Sequence, residues 1–542
     1  MINSYFSVKS ILEFKWLKKV AIGLVIIWLL SIVFTLVAWL SIIKANLGLA
    51  SFSFAVVRPV TGLFSVLSLK KLPLLEFWRE NILLGQETVS LIAEAKNQTD
   101  PLTWLMTNYH LANFLIHSEE MLAQGEKSWL INQVFTKNGY EPAELKELVG
   151  LLKIINQEKE AGKKYLLIFQ NSAELRATGG FMGSYTVLNF AQPDFLRFVI
   201  RDIYDPSGLS QTKQSPPGYD FYLSEGKGLP LHDANWSADF STTAKDILWF
   251  FANIEGDPQY YDGVIALNFA TLEKTIALLG EIYLPDKKTA VSADELAELL
   301  RADRTEFFPG SNQKENNLSA LQTALFLKIN SLSNQELIVF LKAFLKGAFW
   351  REIQFFAVDD LAENNFVKLK VAGNLYDYNQ EEVFIFPVES NVGVNKANRW
   401  VTRTLALSKN NQLLRLQVNF NNQATVADRP VLPTNNEFYK TASHLGYINY
   451  YRLITSTNLE LVSVEVGEQV LTDWDKTELV IANGQVYYQY GFLVTVPENS
   501  QVEVVIDFVM VTATDQVFIQ KQSGLIYQNI INDSFVWTEE LE

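Results

Sequence analysis

The chain contains no cysteine, which excludes disulfides, thiolate zinc sites, cysteine nucleophiles and lipid attached to an N-terminal cysteine. Histidine is almost as scarce: His110, His117, His232 and His444 are scattered at no metal-binding spacing. Charge is sparse too. At 19% charged and 48% hydrophobic, against ~25% charged in ordinary proteins, the composition excludes a disordered chain. Acidic residues outnumber basic ones by 60 to 45, and the net charge of −15 excludes nonspecific nucleic-acid binding. No Walker loop, Rossmann fingerprint, Gly-x-Ser-x-Gly elbow or His-Glu-x-x-His pair occurs. What is present is length. The 542 residues suffice for several hydrophobic cores, with roughly three to four domains as the expectation.

Residues 20–43 form a run of 24 without a charge, VAIGLVIIWLLSIVFTLVAWLSII. About 20 apolar residues cross a bilayer, whereas a signal-peptide core is only about 7–15 long, so an uncleaved anchor is expected. Trp16 and Trp39 stand near its ends, where amphipathic rings favour the interface. Lys9, Lys15, Lys18 and Lys19 precede the run against Glu13, which places the N-terminus in the cytoplasm and about 500 residues outside. Charge divides with the segment. Residues 1–75 carry 8 basic and 1 acidic side chains, and the rest carry 37 basic and 59 acidic. An acidic exodomain stays soluble beside an anionic membrane. The stretch 51–75 has three charges, all basic, and reads either as an interfacial segment or as a packed connector.

Periodicity divides the remainder. Apolar spacing of three and four from Glu76 to Gly162 predicts three or four helices, with Tyr109, Phe114 and Leu115 in their core. The period changes at Lys164: KYLLIF, SYTVLNF, FLRFVIR and DGVIALN read as strands. Helical patterns lie between and after them at 241–254, 271–279, 292–302, 316–332 and 334–346. From about Arg351 the chain reads as strands: VKLKVA, RWVTRTLALS, LLRLQVNF, INYYRLIT, LELVSVEV, YYQYGFLVTV, VEVVIDFVMV and DQVFIQK. The expected architecture is a multidomain α/β and α+β chain. It has a basic tail (1–19), a single transmembrane helix (20–43) and a helical stalk or bundle (44–162). An α/β sandwich with a mixed or mainly parallel sheet (163–350) and an antiparallel β-sandwich (351–542) complete it.

Three segments concentrate unusual chemistry. The first, QNSAELRATGGFMGSY, sets Asn171, Glu174 and Arg176 after a strand and Gly179, Gly180 and Gly183 before the next. Polar groups at a strand's C-terminal end meet the usual ligand crevice of open α/β folds. Glycines there serve either a tight turn or close approach of backbone to a ligand. Arg201 and Asp202 close the strand FLRFVIR. An arginine fork suits phosphate or carboxylate oxygens and an adjacent aspartate suits a divalent cation; an internal ion pair with Glu174 is the alternative. The second segment, DANWSAD, gathers Asp233, Asn235 and Asp239 around Trp236 before a helix, either as oxygen ligands for Mg²⁺ or Ca²⁺ or as a helix cap. The third, SNVGVNK, places Asn391 and Lys396 around a structured turn, with Lys396 as its one charge.

NSAELRATGGFMGSY (171–185), DANWSADFSTTA (233–244) and ESNVGVNKANRWVTR (389–403) resemble the bacterial family called domain of unknown function 4012 over roughly residues 75–500. The family has no established activity, so the resemblance implies location and architecture. The order of strand, Arg-Asp, polar loop, helix and Asp-Gly-Val-Ile strand is also similar to the LytR-CpsA-Psr enzymes, membrane-anchored phosphotransferases acting on polyprenyl-pyrophosphate-linked glycopolymers. That likeness implies Arg176 and Arg201 on pyrophosphate and Asp202 and Asp233 on Mg²⁺. Asn171, Glu174, Gly179, Gly180, Asn235, Trp236, Asn391 and Lys396 are read from the segments themselves as ligand contacts, with the Asn391–Lys396 block either joining the first site or linking domains. The sequence departs from the pattern at two points. Ile200 stands where those enzymes have a proline before Arg-Asp, and Thr178 where they have an aspartate. Two functions follow as expectations. One is an extracytoplasmic cell-envelope protein that binds a cell-wall glycan or lipid carrier without catalysis. The other is a Mg²⁺-dependent phosphotransferase or pyrophosphatase.

Overall fold

The computed structural model describes residues 35, 37–39, 47–66, 73–95, 109–127, 133, 142–192, 199–224, 226–284, 289–292, 323–325, 327–329, 331–332, 334–379, 382–429, 444–481, 483–525, 527 and 529–532. The chain divides into two compact units, Met1–Glu160 and Ala161–Glu542. Among the described residues no helix is long and apolar enough to cross a membrane. The uncharged run 20–43 lies outside them apart from residue 35 and residues 37–39, and the expected helices 292–302 and most of 316–332 also lie outside.

Among its described residues the first unit holds the helices α1 (Leu47–Val66), α2 (Pro73–Ala95), α3 (Tyr109–Lys127) and α4 (Pro142–Glu160). Phe54, Val57, Trp78, Ile82 and Val89 form its core with Ala38 from the end of the apolar run. Trp39 donates to Asn81 Oδ1 at 2.6 Å and stands edge-on to Phe54, so this stretch is seated on α1 and α2. Glu80 is 1% exposed. Burial alone would raise its carboxyl, yet hydrogen bonds with His117 and Arg79 hold it below the usual range.

The second unit begins with a mixed sheet ordered β3-β2-β1-β4-β7. Its strands are β1 (Lys164–Asn171), β2 (Phe181–Asn189), β3 (Arg201–Asp202), β4 (Gly263–Asn268) and β7 (Ile353–Ala357). A small ribbon of β5 (Ile282–Leu284) and β6 (Thr289–Val291) lies between β4 and β7 in the chain. Only β1 and β4 pair in parallel; β1–β2, β2–β3 and β4–β7 are antiparallel. A continuous apolar run is what a centrally placed strand covered on both faces requires. Leu166 and Ile168 of β1 therefore face Phe240, Ala244, Ile247 and Phe250 of α6 (Phe240–Ala252). On the opposite face Phe169 meets Phe269 of α7 (Phe269–Ala277). The short helix α5 (Tyr204–Leu209) follows β3, and α8 (Asn334–Phe349) precedes β7.

The expected strand FLRFVIR (195–201) lies for the most part outside the described residues; Arg201, its last residue, begins the edge strand β3. One expectation is corrected. VKLKVA is not a strand: its first residues end α9 (Asp360–Lys368), whose N-cap Asp359 accepts from the backbone N–H groups of Leu361 and Ala362. That capping aspartate outweighs the alternating pattern, and Lys370 at φ +59 turns the chain out of the helix.

The remaining strands make two sheets. One is ordered β13-β12-β16-β10-β9-β18, the other β14-β15-β11-β8-β17. The first contains β9 (Val401–Asn410), β10 (Leu413–Asn422), β12 (Leu459–Val466), β13 (Gln469–Val470), β16 (Ser500–Met510) and β18 (Asn529–Asn532). The second contains β8 (Val383–Val388), β11 (Tyr447–Ser456), β14 (Asp475–Val480), β15 (Val486–Val496) and β17 (Val517–Ile519). Pairing is antiparallel except at two edges, where β17 joins β8 and β18 joins β9 in parallel. Alternation in β10 sends Leu414, Leu416, Val418 and Phe420 inward against Tyr447, Tyr451 and Leu453 of β11. Strand β11 is buried on both faces from Asn449 to Ser456, because its second face packs against the α/β part. Tyr450 joins the core of the mixed sheet, and Ile454 shares a cluster with Ala177 and Ala238. The sheet containing β8, β11 and β15 is thus a middle layer.

Candidate functional site

All three unusual segments converge where the middle layer meets the mixed sheet. Arg176 stands in the turn between β1 and β2 and is 2% exposed. Its guanidinium makes four hydrogen bonds: to Asp233 Oδ1 (3.3 Å), Glu174 Oε1 (3.0 Å), the Asn391 carbonyl (2.7 Å) and the Leu175 carbonyl (3.4 Å). It also lies 5.7 Å from the centre of the Phe181 ring. Burial alone would depress its pKa, yet Asp233 and Glu174 hold it above the ordinary value. Asp233 is completed by the Tyr219 hydroxyl at 2.9 Å. A buried guanidinium satisfied by two carboxylates and two carbonyls makes an internal junction.

The neighbouring motif residues serve the same junction. Asn171 Oδ1 accepts from Ala173 N and shapes the turn. Gly180 has φ +153, and a Cβ there would fall 2.3 Å from the carbonyl carbon of Asn171. Gly179, at φ +132, is crowded by Ser523 and Gln170, so turn geometry and close backbone packing account for this glycine pair. Asn235 donates to Thr178 Oγ1 and the Gly180 carbonyl, and Trp236 donates to the Pro217 carbonyl. Asn391 donates through Nδ2 to Asn395 and Asn398. Lys396 is half-buried at the start of a short 3₁₀ turn, Ala397–Arg399.

The expected metal ligands are occupied otherwise. Asp239 caps α6 through Thr242 N and Oγ1 and accepts from Leu375 N. Asp202 accepts from Tyr204 N at 2.9 Å. Asp233 neutralises Arg176. Among the described residues no group of three or more His, Asp or Glu stands where a metal could be held. Arg201 and Asp202 point to opposite faces, as neighbours in a strand must. Arg201 is exposed and bears on Tyr261, while Asp202 is 5% exposed and bears on His232 and Tyr204. His232 accepts or donates at 2.8 Å with Ser207 Oγ, and burial holds its imidazole below the usual range.

Several buried groups escaped the sequence reading. Glu389 is engaged by Arg403 at 2.6 and 2.8 Å and by the Tyr447 hydroxyl. Lys521 pairs with Glu352 at 2.7 Å, and Gln522 bridges the Arg176 and Glu389 carbonyls. Arg452 is 1% exposed and donates to the Trp236 carbonyl and Ser390 Oγ. It lies over the Trp236 ring at 4.6 Å, and burial pushes its pKa down to about 10. Lys521 and Glu352, 169 residues apart, carry no local signal of pairing, and Glu389 and Arg403 close the two ends of the segment 389–403 without any spacing that marks them as a pair.

An open feature of this unit lies elsewhere. A cavity of ≈ 590 Å³ lies beside the middle layer, walled by Tyr222, Phe492 and Trp474 and edged by Asp473, Asp475 and Gln469. The Asp-Trp-Asp of residues 473–475, an indole set between acids in a connection between strands, was its signal in the sequence.

No curated protein and no solved structure matches the chain. The stretch 160–304, which holds the Arg176 and Asp233 segments but not the Asn391 segment, matches the family model described as a protein of unknown function (DUF4012).

Proposed function

We propose that this chain is a membrane-anchored, extracytoplasmic protein of the cell envelope that binds a glycan and does not transfer phosphate. The charge-free run 20–43 with its basic flank supports the anchor and its orientation. The observation that carries the non-catalytic reading is the burial of Arg176. A pyrophosphate-binding arginine must present donors to its ligand, and this one gives four hydrogen bonds to the protein itself. Releasing it would strip the buried Asp233 of its guanidinium partner.

The reading is tested by native mass spectrometry of the full-length protein, extracted from its own membrane in mild detergent, beside an assay with Mg²⁺ and a polyprenyl-pyrophosphate-linked oligosaccharide. Binding of the glycan without turnover is expected. Turnover abolished by Asp202→Asn or Arg201→Ala would overturn the proposal in favour of a phosphotransferase. A specific observation keeps that second reading in view: His232, 25% exposed along its side chain, stands with Tyr204 and Asp202 at the edge of the Arg176 cluster.

A further inference from the structure

The cavity beside the middle layer has a chemistry that names its ligand, and we infer that it is a binding site for a neutral oligosaccharide. This deepens the glycan-binding reading above and rests on it. At ≈ 590 Å³ the cavity falls within the range of about 300–1,000 Å³ of sites that bury a small ligand. Its walls set the aromatic Tyr222, Phe492 and Trp474 beside the aliphatic Val466, Leu471 and Leu493, and its edge is polar. Trp474 and Tyr222 are half-buried, with faces that can cover the C–H face of a pyranose. Asp473, Asp475 and Gln469 are exposed and supply acceptors and an amide donor.

Charge and hydrogen-bond type narrow the choice. The lining contains two carboxylates and no Lys or Arg. Two acids so placed repel a phosphate, a nucleotide or a uronic acid. The bare polyprenyl phosphate head is therefore excluded from this cavity. An organic cation would pair with the acids but make no use of the Gln469 amide or the Thr495 hydroxyl, also in the lining, which would stay with water. A sugar hydroxyl both donates and accepts, and so can meet the acids, the amide and the hydroxyl alike.

The cavity is also held in shape. Asp475 Oδ2 accepts from the Tyr450 hydroxyl at 2.7 Å, using one of the roughly four acceptor positions of a carboxylate and fixing the direction of the others. Tyr450 reaches it because Gly491 lies beneath: a Cβ there would fall 2.3 Å from the Tyr450 hydroxyl. Tyr222 packs at 4.6 Å against Tyr450, its ring tilted by 33°, and Tyr450 lies parallel to Trp236 at 5.6 Å. Trp236 belongs to the Asp-x-Asn-Trp-Ser segment. The buried motif thus sets the position of an open wall, which pre-organises the first contacts of a ligand.

The test uses the full-length protein in detergent and tetrasaccharides of glucose, mannose, galactose and N-acetylglucosamine as probes, read by saturation-transfer NMR and titration calorimetry. At least one probe is expected to bind at millimolar concentration or tighter. Asp473→Asn, Asp475→Asn and Trp474→Phe are each expected to weaken it about tenfold or more, with the melting temperature unchanged in Asp473→Asn as the check of folding. Glycan binding that survives the double variant Asp473→Asn/Asp475→Asn would overturn the cavity assignment while leaving the glycan-binding function. Absence of binding by all probes would overturn both. Spermidine or choline binding in place of any sugar would make the cavity a cation site and end the proposal.

Discussion

The buried junction and the open cavity of the second unit are built from the same residue types, and the difference lies in who receives their hydrogen bonds. In the junction Arg176, Arg403 and Lys521 are each matched to carboxylates and closed off from water. In the cavity Asp473, Trp474 and Asp475 extend from a connection between edge strands, with no base in the lining to neutralise the acids. Desolvation makes an unpaired buried charge cost several kcal/mol, so a junction of this kind is a device for joining layers. An exposed carboxylate costs little to leave unpaired and stays available to a ligand. The most unusual sequence segments therefore mark the join, and a plain-looking strand connection carries the accessible chemistry.

The largest effect expected from this contrast is at Arg403. Arg403→Met would take from the buried Glu389 its cationic partner while keeping the neutral Tyr447 hydroxyl, and should cost about 3–5 kcal/mol of stability. Adding Glu389→Gln to it should recover at least about 1 kcal/mol, since the pair is in direct contact. Denaturant unfolding of wild type, both single variants and the double variant measures the coupling. A cost below about 1 kcal/mol for Arg403→Met would mean that water reaches the junction.

Glu363 sits between the two extremes, half-buried on α9 with its Oε2 accepting from Ala357 N at 2.9 Å. Burial pushes its carboxyl up to about 7, only partly offset by the Ala357 hydrogen bond and Lys245. The folded state therefore holds its proton more tightly than the unfolded chain does. The stabilising contribution is full below the unfolded value near 4.5 and is lost as pH rises through about 7. Glu363→Gln should thus be near neutral at pH 4 and stabilising by at most about 3 kcal/mol at pH 8. Melting curves of both proteins across that span give the difference. A constant offset would show that Glu363 is solvated.

Much of the fold was legible from periodicity. The run KYLLIF is a strand buried on both faces, LELVSVEV is a strand over the residues expected, and Asn483-Gly484 turns the chain between β14 and β15. Local patterns of this kind report what one element buries. They do not report which element covers it. Ile353–Ala357 falls at the start of the region expected as the antiparallel β-sandwich and instead joins the mixed sheet through β4, a choice made by tertiary pairing. The site was legible as a set of segments, and the three motifs do meet. Their role was not, because a Gly-rich turn with an arginine looks the same whether it receives a phosphate or a backbone carbonyl. Asn391, 215 residues from Arg176, supplies that carbonyl.

Gly491 tests the shape of the cavity wall with a smaller effect. In Gly491→Ala the added methyl would meet the Tyr450 hydroxyl and ring, 2.3 to 3.0 Å away, so the ring must tilt off β15. Overpacking of this kind costs about 1–3 kcal/mol. The tilt would also break the 2.7 Å bond to Asp475. A crystal structure or Tyr450 ring chemical shifts of the variant would show the displacement. Sugar affinity should fall along with stability, which ties the wall to the ligand.

Asp473 is the smallest perturbation and the sharpest separation of the two regions. It is exposed, and its carboxylate lines the cavity away from the sandwich core. Surface substitutions of this sort lie within about ±0.5 kcal/mol in stability, and removing one of two neighbouring negative charges biases Asp473→Asn toward the stabilising side. An amide still offers an acceptor and adds a donor, so a weakened sugar complex would report loss of the strong, charge-assisted bond rather than loss of the cavity. The expected result is an unchanged melting temperature with affinity lower by about tenfold. The corresponding change in the junction, Asp233→Asn, would lower the melting temperature by several degrees, because it removes a carboxylate from the buried Arg176. If both variants melted alike, the distinction between a sealed join and an open site would fail at its simplest comparison, one aspartate against another.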